Sequence, residues 1–300
     1  MSSVIVNIGS VSLDTTRTPF KTVEDVMGGS GTYSGLASSY FLETGLVGIV
    51  GEDYPQEYLK ILGDRMDLRG LVIEKGKTFR FDSSFGYDMG KRKTNKTELN
   101  VFGKWEPKVP EEYRDAEYLY LGNVSPEQQL RVIDQMEEPK LTVADTIEYW
   151  IENQKDALIE VISRVSGMVL NDEELRQLCE TSNIITGART IMDWGATFVI
   201  IKKGEHGAVL FTRDTIFPTC SYPLEEIKDP TGAGDSFAGG LMGHIARTGK
   251  TDLKTMKEAI IYGNIMGSFA IQRFGTDRLL TLTMEEIEGR YNKYKEMVTF

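Results

Sequence analysis

Short runs of apolar, mostly β-branched residues exchange along this chain with longer stretches in which apolar residues recur at helical spacing. The first run is Val4-Ile5-Val6-Asn7-Ile8, closed by Gly9, and others lie at 46–50, 118–121, 141–144, 168–170 and 198–201. Between them Tyr33, Leu36, Ala37, Tyr40 and Phe41 repeat at i, i+3, i+4, i+7 and i+8. Comparable helical patterns occupy 128–136, 157–165, 173–179, 235–246, 253–271 and 284–298. A strand that is apolar along its whole length is buried on both faces, and helices between such strands are what bury it. The alternation therefore predicts an α/β fold: a doubly wound, mostly parallel central sheet covered by helices on both faces.

One stretch breaks the rhythm. From about residue 71 to 105 the chain reads as short strands joined by polar turns (LVIEKGKTFRF, SSFGYDMG, TELNVFG), with no helical pattern. Between Lys75 and Lys108 nine basic and four acidic residues give a local charge of +5 within a chain of net −11. We read this segment, with part of 10–27, as a small β lid inserted in one domain spanning 1–300. The Lys91-Arg92-Lys93 tip is read as a solvated hairpin.

The charge balance and the histidine and cysteine counts exclude several functions. A net acidic surface repels a polyanion, so no nucleic-acid partner is expected. Two histidines, His206 and His244, cannot build a multi-histidine metal site. The two cysteines, Cys179 and Cys220, form no CxxC pair, which suits a reducing cytoplasm. The opening residues predict no signal peptide, and no run approaches the roughly 20 apolar residues of a membrane span.

The segment richest in chemistry is Asp229-Pro-Thr-Gly-Ala-Gly-Asp235, which opens a helical pattern. Gly232 and Gly234 allow successive main-chain N–H groups to face one side, and the start of a helix adds unpaired N–H groups and its positive dipole end. Such a corner suits a phosphate whose charge redistributes during transfer. Asp235, in the first turn, is placed to take a proton from an attacking hydroxyl. An acid there also simply complements the helix dipole, but a cap needs no glycine loop before it. Gly239, Gly240 and Gly243 further along imply close packing of this helix on a neighbour.

DPTGAGDSFAGG closely resembles the second signature of the ribokinase-like (PfkB) carbohydrate kinases. The resemblance implies that Asp235 is the catalytic base, that Gly232, Ala233 and Gly234 form the anion hole, and that Asp229 ligates a potassium ion. Other segments agree in order along the chain. Asp14, beyond the first strand, is similar to the family's substrate-binding aspartate, and Gly28-Gly29 to its di-glycine substrate motif. Tyr33 stands where many members have an asparagine that touches the sugar. Asn171 and Glu174 resemble the Asn-x-x-Glu motif that holds magnesium and phosphate through water. Lys202, Gly204 and Gly207 belong to a turn that lies beside the nucleotide in the family, and Asn264 matches a position facing adenine. Arg273-Phe274-Gly275 falls where the cation site closes, and Asp145 matches another acid of the ligand edge, with no role assigned. Magnesium suits such a site because it takes few carboxylates and keeps most of its waters.

The resemblance implies ATP with Mg²⁺, and K⁺ at Asp229, in a kinase that phosphorylates a hydroxyl of a small polyol, with a homodimer through the lid allowed. The acceptor stays open among hexoses, pentoses, nucleosides and cyclitols such as inositol. The competing reading is a non-catalytic binding protein that kept the fold. A dehydrogenase lacks its Gly-x-Gly-x-x-Gly fingerprint, and Gly243 to Gly249-Lys250-Thr251 has five residues between its glycines where a P-loop has four.

Overall fold

The structure is a computed structural model that describes residues 5–299. Thirteen strands form two sheets: β1 (Ile5–Ile8), β2 (Ser12–Arg17), β3 (Thr22–Gly28), β4 (Thr44–Gly51), β5 (Asp67–Glu74), β6 (Phe79–Phe85), β7 (Arg92–Glu98), β8 (Tyr118–Leu121), β9 (Leu141–Asp145), β10 (Gly167–Asn171), β11 (Phe198–Lys202), β12 (Ala208–Phe211) and β13 (Ile216–Thr219). The helices are α1 (Ser30–Ser38), α2 (Gln56–Gly63), α3 (Pro126–Ile133), α4 (Glu148–Asn153), α5 (Lys155–Arg164), α6 (Asp172–Leu178), α7 (Ile184–Asp193), α8 (Ala233–Thr248), α9 (Leu253–Ala270), α10 (Asp277–Leu280) and α11 (Met284–Val298). Val4, which opens the first apolar run, lies outside the described residues.

The large sheet has nine strands in the order β13-β12-β11-β10-β9-β8-β1-β4-β5. Every pair from β11 to β5 is parallel, and only the β11-β12-β13 hairpins run antiparallel. All four residues of β1 and all eight of β4 are buried, as expected where helices cover both faces. Because the strands are parallel, Asp145, Asn171 and Lys202 finish β9, β10 and β11 at one edge; Asn171 pairs directly with Lys202. In doubly wound sheets this carboxyl edge is where ligands sit.

Helix α8 is wedged between α1 and α9. Its glycines explain how: a β-carbon on Gly239 would collide with the Ser34 carbonyl, one on Gly240 would fall 2.7 Å from Met266 Cγ, and one on Gly243 2.5 Å from Phe41 Cδ2. Gly249, at φ 69°, ends α8 in the left-handed conformation, as a helix terminator does.

The small sheet is β3-β2-β6-β7. It draws its strands from 12–28 and 79–98, so the expected boundary of 71–105 needs correction. Residues 71–74 belong to β5, the edge of the large sheet, where Gly48 pairs with Leu71 and Gly51 with Glu74. Asn100–Lys104 is a 3₁₀ turn rather than a strand, and its Phe102 packs into the main core against Phe79. The causes differ: main-chain pairing with β4 draws 71–74 into the large sheet, while burial of Phe102 in the main core folds 100–104 into a turn.

Candidate active site

Gly232 caps α8 at φ 75°, a left-handed conformation open to glycine at little cost. A β-carbon there would collide with the ring of Tyr33. The first three N–H groups of a helix have no partner one turn back. Here these are Ala233, Gly234 and Asp235; Ser236 N–H closes the first turn onto the Gly232 carbonyl at 2.8 Å, and Ala233 N–H makes a long 3.3 Å bond to Pro230. A β-carbon on Gly234 would stand 3.1 Å from Lys202 Nζ, so the glycine also keeps an ammonium close to the loop.

Asp235 is partly exposed in this first turn. Burial among its neighbours pushes its carboxyl up to about 6, and the Asp145 charge adds to the rise, while Lys202 and Arg92 pull against it. A carboxylate with a pKa near neutrality both accepts a proton and is ionised at physiological pH, which is what general-base work needs.

The floor of the site is a buried ion pair that sequence reasoning did not assemble. Lys202 Nζ donates to Asp145 Oδ2 at 2.7 Å, with the two side chains 17% and 5% exposed. Tyr120 donates its hydroxyl to the same oxygen at 3.2 Å, and Thr146 N–H donates to Oδ1 at 2.8 Å. From the sequence alone Lys202 is expected beside the nucleotide, and Asp145 is only an acid of the ligand edge. Their position at the ends of strands was the available signal, but the pairing spans 57 residues.

Asn171 and Glu174 form a capping box on α6: Glu174 N–H donates to Asn171 Oδ1 at 2.8 Å, and Asn171 N–H to Glu174 Oε2 at 2.7 Å. Glu174 is buried, and that burial raises its carboxyl, against the pull of Lys202. One Glu174 oxygen is thus used structurally. Among the described residues no three His, Cys, Asp or Glu side chains form a ready metal cage.

On the other flank lies Asp14, 5% exposed, with Ser12 Oγ donating to Oδ1 at 2.6 Å. Its carboxyl is pushed up to about 7, first by burial; the Ser12 bond opposes this, and the Asp229 and Asp235 charges add to it. Gly28 is required here, since a β-carbon would collide with Asp14 Oδ2; Gly29, at φ 99°, lies against the Ser10 carbonyl. Tyr33, on α1, lies behind the glycine loop. It is 1% exposed, because its ring fills the space beneath the glycine loop. Its phenol is raised well above its ordinary range by burial and by the charges of Asp229, Asp14 and Asp235.

Asp229 is 1% exposed and tied by two main-chain bonds: Thr231 N–H to Oδ1 at 2.9 Å and Gly275 N–H to Oδ2 at 3.0 Å. The two segments expected at the cation site therefore do meet. The carboxyl has no basic partner among the described residues, and burial raises its pKa. Further out, Gly207 at φ 87° packs against Thr219, whose Oγ1 accepts a 2.9 Å bond from Asn264 Nδ2. Gly204 is exposed at φ 55° with open space around it. Gly263 and Gly267, flanking Asn264, pack against Phe237 and Ala233, which links this turn to the head of α8.

Known proteins resemble this chain along most of its length. The description "pfkB family carbohydrate kinase" matches residues 5–282. The cytidine kinase of Thermococcus kodakarensis is 33% identical over 250 residues, covering 81% of this chain and 88% of that protein. The crystal structure of the Methanocaldococcus jannaschii nucleoside kinase superposes with a TM-score of 0.78 at 18% identity, over 97% of this chain and 99% of that one. A protein from E. coli, provisionally named ribokinase II and solved with ATP and Mg²⁺, also gives 0.78, at 19% identity over 97% and 100%. Among the described residues no helix is long and apolar enough to cross a membrane. The fold is ribokinase-like, and the chain belongs to the pfkB family of carbohydrate kinases.

Proposed function

We propose that this kinase transfers the γ-phosphoryl group of ATP to a hydroxyl on the ribose of a nucleoside. The observation that carries the chemistry is Asp235, a carboxylate of pKa about 6 in the first turn of a helix whose free N–H groups face the same corner. The acceptor oxygen gives its proton to the Asp235 carboxylate and forms a bond to the γ-phosphorus. The bond from that phosphorus to the β–γ bridging oxygen breaks, and ADP leaves with the electron pair. The Gly232, Ala233 and Gly234 segment holds the developing charge, as phosphoryl transfer demands. Asp14, Gly28 and Gly29 hold the acceptor's hydroxyls; Lys202, Gly204, Gly207 and Asn264 line the nucleotide's path. The small sheet closes over them as a lid and keeps water out.

Glu174 and Asn171 would hold, through water, the Mg²⁺ that accompanies ATP, which would neutralise phosphate charge when bound. The lack of a ready cage fits an ion that keeps its waters and binds through substrate phosphates. Asp229, a buried carboxylate without a basic partner among the described residues, fits a monovalent cation such as K⁺ where its loop meets Gly275. A cytoplasmic site suits the two free cysteines. A homodimer through the small sheet, whose Phe20–Tyr87 pair faces solvent, completes the proposal.

The choice of a nucleoside rests on the 33% identity with a cytidine kinase across four fifths of the chain. The sugar or cyclitol reading shares the same base and loop. A screen of cytidine, other nucleosides, hexoses, pentoses and inositols for ADP release separates them. Cytidine is expected to lead. Release with a sugar alone would move the acceptor class, and release with none would favour a non-catalytic binding protein.

A further inference from the structure

The small sheet turns one face toward the phosphate loop. On β2, Ser12, Asp14 and Thr16 alternate onto that face and are all buried, and the Thr16 hydroxyl meets the Thr231 hydroxyl at 3.4 Å. Register carries the same face across the sheet: Asp14 pairs with Phe81, Thr16 with Ser83, and Phe85 with Arg92. Directly paired residues project to the same side. Arg92 confirms its side by lying over the Phe81 ring, 5.1 Å from the centroid, next to the row that holds Asp14. Its charge is felt by three acids on three elements, Asp14, Glu174 and Asp235, each drawn downward by it. The tip expected to be a solvated hairpin is exposed, and within it Arg92 lies against the Phe81 ring on the face that carries Asp14.

The charges explain why this matters. Five carboxyls gather here (Asp14, Asp145, Glu174, Asp229 and Asp235), and Lys202 is already paired with Asp145. Arg92 is exposed and in no ion pair among the described residues. A triphosphate entering so acidic a corner needs an uncommitted cation, and a guanidinium offers a planar fork that matches phosphoryl oxygens. We propose that Arg92 is a further catalytic residue, carried by the lid, whose guanidinium binds the oxygens of the γ-phosphoryl group as it passes from ATP to the acceptor.

This rests on the kinase reading, and the test separates the two. In Arg92→Ala, kcat for cytidine is expected to fall on the order of 10³-fold, the scale of an arginine in phosphoryl transfer. KM for cytidine should stay within roughly threefold, and added guanidinium should restore part of the lost rate. Arg92→Lys should fall between. By calorimetry with Mg²⁺ present, Arg92→Ala should lose most of the wild-type preference for ATP over ADP. An unchanged kcat, or a loss confined to KM for cytidine, overturns the assignment. Should the wild type phosphorylate nothing in the screen, the kinase reading fails, and the ATP-to-ADP preference still decides Arg92: its loss in the variant supports the contact, its persistence removes it.

Discussion

The ring of Tyr33 lies directly under Gly232, filling the space a β-carbon would need. An aromatic on α1 therefore supports the loop that opens α8, and the left-handed turn at φ 75° is held from below as well as by its own hydrogen bonds. Gly232→Ala should fail on both counts: alanine pays about 1–2 kcal/mol for the left-handed conformation and meets the ring besides. Tyr33→Phe keeps the ring and should retain both fold and rate. Tyr33→Ala should cost about 3–5 kcal/mol, as large-to-small changes in a core do. Thermal unfolding and initial rates, measured together, check all three.

With Asp235 as the proposed base, its titration should set the acid limb of the rate profile. Its carboxyl titrates near 6 because burial, and next the Asp145 charge, disfavour the ionised form. Only the ionised form accepts a proton, so kcat/KM should fall about tenfold per unit as pH drops below that value. Asp235→Asn should lower kcat by about 10²–10⁴. A profile flat from pH 8 to 5 would assign the base elsewhere.

The Lys202–Asp145 pair tunes that limb in opposite directions. Asp145 raises the Asp235 carboxyl and Lys202 lowers it. Asp145→Asn removes a like charge, so the limb should move to lower pH; Lys202→Met removes an opposite charge and should move it higher. Lys202→Met also leaves Asp145 buried without its partner, a change that costs about 3–5 kcal/mol in comparable pairs. The pH dependence of kcat/KM and the melting temperature of each variant read both effects.

Asp14 trades stability for its place in the site. Its carboxyl stands near 7 in the fold, against 3.8 ordinarily, chiefly through burial. A raised carboxyl is fully favourable below the unfolded value and loses ground as pH climbs from about 4 to 7, by 1.36 kcal/mol per unit or about 4 kcal/mol in all. Asp14→Asn should therefore melt higher than the wild type at pH 8, with the gap narrowing toward pH 4, while phosphorylation is lost. A gap that is constant with pH would show that the fold does not raise the Asp14 carboxyl.

Strands β1, β4, β8, β9, β10 and β11 were visible in the sequence because a strand covered on both faces is apolar throughout, and no surface requirement blurs the run. Helix α7 was not. Its Ile184-Ile185-Thr186-Gly187 start favours helix poorly, and what holds it is the Asn183 cap together with Gly187 packed on Leu175 of α6, a contact absent from local pattern. Residues 71–74 misled for a related reason: they read as a strand next to the lid segment, yet it is β4 that pairs with them.

The chain's order of residues determined the α/β class and the phosphate corner, because strand burial, glycine freedom and a helix start are consequences of neighbours a few positions apart. Tertiary structure alone decided which charges face one another. Arg92 meets the Phe81 ring across the small sheet, Lys202 finds Asp145 across 57 positions, and the Tyr33 ring comes to lie beneath Gly232. Electrostatics and packing act through space, and separation along the chain says nothing about that distance.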